Sequence, residues 1–307
     1  MTKVFIDGSA GTTGLRIHER LANRRDLTLV TLPDQVRKDP AARKEAINGA
    51  DVVFLCLPDA AAIEAVAMIE NKNVAVIDTS TAHRTNDAWV YGFSELGRRA
   101  AIAASKRIAN PGCHASGFLA LVQPLVATGV LKKDATLSCF SLTGYSGGGK
   151  KMIAEYEGEG RSSLLDAPRQ YGIAQGHKHL PEMVSVAGLA QSPAFCPIVG
   201  DFYSGMEVTV PVFAKDLTAT AEEVKDVYRA TYQTGLVHFV EEDAEGGFLS
   251  ANAFSGRDDM EVRVCGNADR LLLVARFDNL GKGASGAAIQ NMNILLGVDE
   301  GTGLVIG

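Results

Sequence analysis

An α/β protein built on a doubly wound parallel sheet is what this sequence predicts, from three observations. Short, nearly continuous apolar runs alternate with helix-like stretches through the first eighty residues. A glycine-rich turn joins the first run to the first helix. The balance of 46% apolar and 21% charged residues over 307 positions is that of an ordinary globular chain with room for two domains.

KVFID (3–7) is the first strand, and LRIHERLANR (15–24) the first helix. LTLVTL (27–32), VVFLCL (52–57) and VAVID (74–78) are the next strands, with AARKEAI (41–47) and AAAIEAVAMI (60–69) as helices between them. Apolar side chains at successive positions suit strands covered on both faces, and the alternation with helices makes the sheet parallel. Between the first strand and helix, GSAGTTG places Gly8, Gly11 and Gly14 as G-x-x-G-x-x-G, a departure from the usual G-x-G-x-x-G. In that place the glycines permit a tight turn and bring a pyrophosphate to the helix N-terminus, with Ser9, Thr12 and Thr13 in the same turn. The plain alternative is a strand–helix turn with no ligand. Asp34 lies beyond the second strand, where an NAD site would want its acid earlier, and Arg37 and Lys38 follow. The balance leans to NADP, whose extra phosphate needs a cation.

The net charge is −6, from 30 basic and 36 acidic residues, and no block of lysines and arginines stands out. Nucleic acid and anionic membranes therefore have little support as partners. No run approaches the 18 apolar residues of a membrane span, and MTKVFIDG enters a strand pattern without a signal peptide. Five widely spaced cysteines with no C-x-x-C pair argue against disulfides or a zinc knot and fit a reducing cytoplasm. Cys56, Cys139 and Cys265 sit in strand-like runs and read as core.

Cys113 is different. In NPGCHASGF (110–118) it follows a turn-forming Asn-Pro-Gly at what reads as the first turn of a helix. There the backbone N–H groups favour a thiolate, as a nucleophile requires. GHKHLPEM (176–183) offers His177 and His179. A metal would need further ligands, and nearby there is only Glu182; a solvated loop is the bland alternative, and acid/base work beside a cysteine the functional one. Of the remaining histidines, His18 reads as surface, His83 and His238 have no distinctive partners, and His114 points away from Cys113 if the segment is helical. GYSGGGK (144–150) has phosphate-loop spacing but is followed by Lys151 where a magnesium-holding hydroxyl would stand. It reads as a flexible glycine loop, with Lys150 or Lys151 available to an anion.

GSAGTTG, VIDTSTAHR (76–84), YGFSEL (91–96), IANPGCHASGF (108–118), GHKHLPE (176–182) and NLGKGASGAAIQNMNILLG (279–297) occur in this order. With them the chain resembles the N-acetyl-gamma-glutamyl-phosphate reductases of the shorter type, enzymes of arginine biosynthesis that share a fold with aspartate-semialdehyde dehydrogenases. The resemblance runs from residue 1 to about 297 and departs at His114, where many members carry tyrosine. It implies a Rossmann-like dinucleotide domain of residues 1–112 with 284–307, and a catalytic and oligomerisation α+β domain, 113–283, whose sheet is mostly antiparallel. MEVTVPVF (206–213), EVRVC (261–265) and LLLVARF (271–277) have the strand composition for it. TAEEVKDVYRATYQ (220–233) is an amphipathic helix with Thr220 as its N-cap.

The resemblance further implies NADPH as cofactor, a small acyl-phosphate substrate, no metal, and a homo-oligomer, dimer or tetramer. Cys113 would form a thioester, with His177 as acid/base and His179 as second choice. Glu182 and Tyr171 would orient these groups or the substrate, and Arg84 and Asn110 are candidates for its phosphate. Alternatives are an aspartate-semialdehyde dehydrogenase-like enzyme on another acyl phosphate, a non-redox cysteine acyltransferase, and a non-catalytic NADP sensor.

Overall fold

The computed structural model describes residues 1–242 and 245–307. The chain divides into two compact units, Met1–Gly112 with Ala284–Leu304, and Cys113–Gly283 with Val305–Gly307.

In the first unit the order is β1 (Thr2–Asp7), α1 (Thr12–Leu21), β2 (Leu27–Val30), α2 (Pro40–Gly49), β3 (Val52–Leu55), α3 (Asp59–Ala67), β4 (Ala75–Asp78), β5 (Val90–Tyr91), α4 (Arg99–Ala104) and β6 (Arg107–Ala109). The chain returns at its end with the helix Gly286–Leu296, α9 in chain order. The strands pair in parallel in the order β2-β1-β3-β4-β6-β5. Alternate residues of each strand enter two cores. Val4, Ile6, Phe54 and Ile77 pack with Ile17, Ile102, Ile289 and Met292 of α1, α4 and α9. Phe5, Val53, Leu55 and Val76 pack with Ile47, Ala62 and Ala65 of α2 and α3. A sheet covered on both faces needs apolar residues at successive positions, which is why these strands read as unbroken runs. β5 and α4 had no sequence signal: one is two residues long, and the other buries only Ile102.

The second unit begins with α5 (Cys113–Ala127) and continues through β7 (Ser138–Gly144), α6 (Gly149–Glu157), β8 (Arg169–Gln170), α7 (Leu180–Ala187), β9 (Ala194–Gly200) and β10 (Met206–Phe213). α8 (Ala221–Thr231), β11 (Val237–Phe239), β12 (Met260–Gly266) and β13 (Arg270–Phe277) complete it. Its sheet runs β11-β12-β13-β10-β7-β9-β8. Only β11 with β12 and β7 with β9 pair in parallel; the other neighbours are antiparallel. GYSGGGK is a 3-10 turn, Tyr145–Gly148, that starts α6, rather than a flexible loop.

α5 is buried along almost its whole length, and a Cβ on Gly117 would lie 2.5 Å from a Val208 methyl, so the helix sits against β10. Pro124 lies inside it and cannot donate to the Ala120 carbonyl four residues earlier. Tyr232, just past α8, donates its hydroxyl to that carbonyl instead, and Tyr228 donates to Leu121 O. The proline break is thereby satisfied without water. Thr220 caps α8 in a full capping box with Glu223.

Candidate active site

In the first unit, β1 ends at Asp7 and α1 begins at Thr12, so four residues must turn the chain. Gly8 turns it with φ of +89°, and a Cβ there would lie 2.2 Å from the Cys56 carbonyl oxygen. A Cβ on Gly14 would lie 2.5 Å from the Gly8 carbonyl oxygen. The result is a bare-backbone cradle that no side chain could share. It opens on a cavity of about 430 Å³ lined by Gly8, Ser9, Ala10 and Gly11, by Leu29–Leu32 at the end of β2, and by Arg37 and Lys38. Thr12, Thr13 and Gly14 are not among the lining residues; they form the first turn of α1 behind the cradle. Asp34 also stays outside the lining, exposed and 3.5 Å from Arg37. The Asp7 carboxylate at the cavity wall is held 2.9 Å from Arg43. Burial pushes the Asp7 carboxyl up, and the bond to Arg43 pulls it back. An open cradle at a helix start, with Arg37 and Lys38 in its lining and Asp34 outside it, fits a dinucleotide carrying an extra phosphate.

Arg84 and Asn110, expected to meet substrate phosphate, are buried and engaged with the chain itself. Arg84 donates to the carbonyls of Asn110 and Thr79, both at 2.9 Å. Asn110 donates to Ala284 O at 2.9 Å and accepts from Asn291 at 3.2 Å. Both anchor the turn that leads into Cys113. His83 does have distinctive partners, contrary to the sequence expectation: Asp78 lies 2.6 Å from its Nδ1, and its ring stacks on Trp89. Neither partner is visible from the run STAHR, because one comes from β4 and the other from the following turn.

In the second unit, Cys113 is the first residue of α5 and is half-buried. Its sulfur, a ring nitrogen of His114 and a ring nitrogen of His179 lie within 4.8 Å of one another. His114 therefore does not point away. One helical step from Cys113 turns its ring inward, where β7 and the segment before α7 enclose it. There it is 3% exposed, with Nδ1 2.6 Å from Ser141 Oγ and Nε2 2.6 Å from Tyr171 Oη. The rings of His177, His179 and Phe195 surround it at centroid distances of 5.4, 5.5 and 5.3 Å. Burial, then the neighbouring His177 and Lys178, push the His114 pKa down to about 3, so the ring is neutral. Cys113, His114 and His179 have the composition of metal ligands, but both His114 nitrogens already face Ser141 and Tyr171.

His177 is half-buried; its pKa is lowered by burial and by Lys178. The His179 amide donates to His177 Nδ1 at 3.2 Å, which leaves the ring proton of the neutral form on Nε2. His179 is buried with Nε2 4.0 Å from Glu182 Oε1, in the first turn of α7. Tyr171 stays protonated, because burial and then the Cys113 charge push its hydroxyl above the ordinary range. The second unit thus joins Cys113, Tyr171, His177, His179 and Glu182, and adds His114 and Ser141, which sequence reasoning missed. Adjacency to Cys113 was the available signal for His114; nothing in the sequence marks Ser141.

Residues 113–279 match the family model described as semialdehyde dehydrogenase, dimerisation domain, and residues 33–104 match the one described as semialdehyde dehydrogenase, NAD binding domain. The chain is similar to N-acetyl-gamma-glutamyl-phosphate reductase 2 of Nostoc sp., at 44% identity over 98% of this chain and 99% of the relative. It is also similar to the N-acetyl-gamma-glutamyl-phosphate reductase of Burkholderia ambifaria, at 46% identity over 96% of each. Among solved structures, aspartate semialdehyde dehydrogenase II of Vibrio cholerae superposes with a TM-score of 0.72 at 18% identity, covering 96% of this chain and 98% of that one. The NADP complex of the Candida albicans aspartate semialdehyde dehydrogenase gives 0.65 at 16% identity over the same shares, a likeness of fold.

Proposed function

The chain belongs to the N-acetyl-gamma-glutamyl-phosphate reductases of the semialdehyde dehydrogenase family, and from that premise we propose that Cys113 is the nucleophile on which its substrate is reduced. The reaction is the NADPH-dependent reductive dephosphorylation of N-acetyl-gamma-glutamyl phosphate to N-acetylglutamate semialdehyde, a step of arginine biosynthesis. The observation that carries the residue assignment is the Cys113 sulfur at a helix start with two imidazoles within 4.8 Å.

The Cys113 thiolate attacks the acyl carbon; the C–S bond forms, the bond to the phosphate oxygen breaks, and inorganic phosphate leaves a thioester. NADPH, when bound, supplies the hydride that reduces this thioester. The resulting oxyanion re-forms its carbonyl as the C–S bond breaks, returning the thiolate and releasing the aldehyde. His177 serves the oxyanion through its Nε2–H, the proton-bearing nitrogen of its neutral form. His179, steadied by Glu182, holds His177 through the backbone amide. Gly8, Ser9 and Gly11 hold the pyrophosphate, with Thr12, Thr13 and Gly14 forming the helix start behind it, and Arg37 or Lys38 takes the extra phosphate. Arg84 and Asn110 serve by fixing the turn before Cys113.

The second unit also supports a homodimer. α5 covers one face of its sheet. The register places Phe140, Phe213 and Leu272 together on the opposite face, at 45, 52 and 43% exposure. A second copy of that face is the occupant a dimerisation domain calls for. Five free cysteines suit a reducing cytoplasm.

The test is NADP reduction in the oxidative direction. N-acetylglutamate semialdehyde with phosphate should be oxidised, and aspartate semialdehyde far more slowly. Preference for aspartate semialdehyde, or oxidation that does not depend on phosphate, would overturn the assignment.

A further inference from the structure

Among the described residues, the fully buried Ser141 hydroxyl has His114 Nδ1 as its hydrogen-bond partner, at 2.6 Å. A buried hydroxyl proton needs an acceptor, so Ser141 donates and Nδ1 accepts. In a neutral imidazole the proton then sits on Nε2 and is donated to Tyr171 Oη, also at 2.6 Å. That order settles the direction of the chain of bonds: Tyr171 accepts from His114, and its own proton is left to point elsewhere. The opposite tautomer would consume the Tyr171 proton on His114 and leave Ser141 without its acceptor. The centre that feels Tyr171 is Cys113, whose charge opposes ionisation of the phenol, and the sulfur lies within 4.8 Å of a His114 ring nitrogen.

We propose that His114 is a positioning residue: bridging Ser141 and Tyr171, it fixes the Tyr171 hydroxyl as a hydrogen-bond donor to the oxyanion formed at Cys113. The inference rests on Cys113 being the acylated nucleophile. No proton is transferred along the chain; Ser141, His114 and Tyr171 keep theirs, and the oxyanion gains a preorganised donor.

A mutant cycle tests this, read both in kcat for the full reaction and in the rate of phosphate release on acylation without NADPH. Tyr171→Phe should lower kcat by about 100-fold, the order found when one oxyanion donor is lost. His114→Phe, which keeps the ring and removes both nitrogens, should lose about tenfold or more in kcat with KM little changed. In the Tyr171→Phe background it should cost less than about twofold, because it acts through the missing hydroxyl. Additive losses, or a His114→Phe enzyme at wild-type rate, overturn the inference. If His114→Phe does not fold, Ser141→Ala decides: it frees His114 to take the other tautomer, so kcat should fall several-fold in wild type and not at all in Tyr171→Phe. Equal losses in both backgrounds overturn it. A wild-type chain that releases no phosphate and reduces no acyl phosphate would sink the underlying assignment of Cys113 instead.

Discussion

With Cys113 proposed as the nucleophile, its surroundings should set it apart from Cys56, Cys139 and Cys265. Burial pushes the Cys56 thiol up to about 12 and raises those of Cys139 and Cys265, so these three stay protonated at neutral pH. Cys113, at a helix start beside imidazoles, is expected to react with iodoacetamide at pH 7 faster than any of them. Cys113→Ser should abolish reduction while NADPH still binds, since the glycine cradle belongs to the other unit; comparable turnover by the serine variant would rule out the thioester. His114 yields a second expectation. Its pKa falls from 6.5 to about 3 on folding, so between those values the unfolded chain binds the extra proton and stability rises with pH. The stability is present above about 6.5 and lost as pH falls toward 3. His114→Phe removes that dependence. Urea unfolding at pH 7 and pH 5 should show wild type losing about 2 kcal/mol more than the variant. A constant difference would mean that folding leaves the His114 pKa unshifted. Cys113 was legible because Asn-Pro-Gly is a local signal. The environment of His114 was not, because Ser141 and Tyr171 are brought in from 27 and 57 residues away.

At the scale of elements, the strand–turn–helix from β1 to α1 was legible in detail, since the glycines mark the cradle they create. The limits of β2 were less so: LTLVTL continues apolar through Leu32, but pairing with β1 stops at Val30, and the remaining residues turn to line the cavity. That divergence brings Arg37 and Lys38 to the rim. Replacing both with alanine should weaken NADPH binding about tenfold or more, the order expected for losing one charge-assisted phosphate contact, and leave NADH binding nearly unchanged, measured by fluorescence titration. Equal loss for both cofactors would place the phosphate contact elsewhere. α8 shows the opposite case. Its period and its Thr220 cap were plain in the sequence, but the role of Tyr232 at its end was not, because the Ala120 carbonyl it relieves is orphaned by Pro124 in a distant helix. Segment 171–179 carries Tyr171 and His177 with no regular structure, so no periodicity could have placed it against α5.

For the whole molecule, the proposal that two copies meet rests on the open face of the second sheet. β10 alternates buried Met206, Val208, Val210 and Val212 with outward Glu207, Thr209, Pro211 and Phe213. Its register with β7 and β13 adds Phe140 and Leu272 to the outward set. A strand pattern of this kind shows that one face is apolar inside; it does not show that the other face is apolar as well, and three large exposed side chains there need a cover. A stable dimer buries about 800 Å² per partner, and a carboxylate in place of Phe140, whose cross-strand neighbours are Thr209 and Cys196, is costly to desolvate there. Phe140→Asp is therefore expected to weaken association by at least about tenfold, and with Phe213→Asp to give monomers by sedimentation velocity at micromolar concentration. NADPH binding should survive in both variants, because every lining residue of that cavity belongs to the first unit. If the double variant sediments as wild type does, the copies meet through another surface.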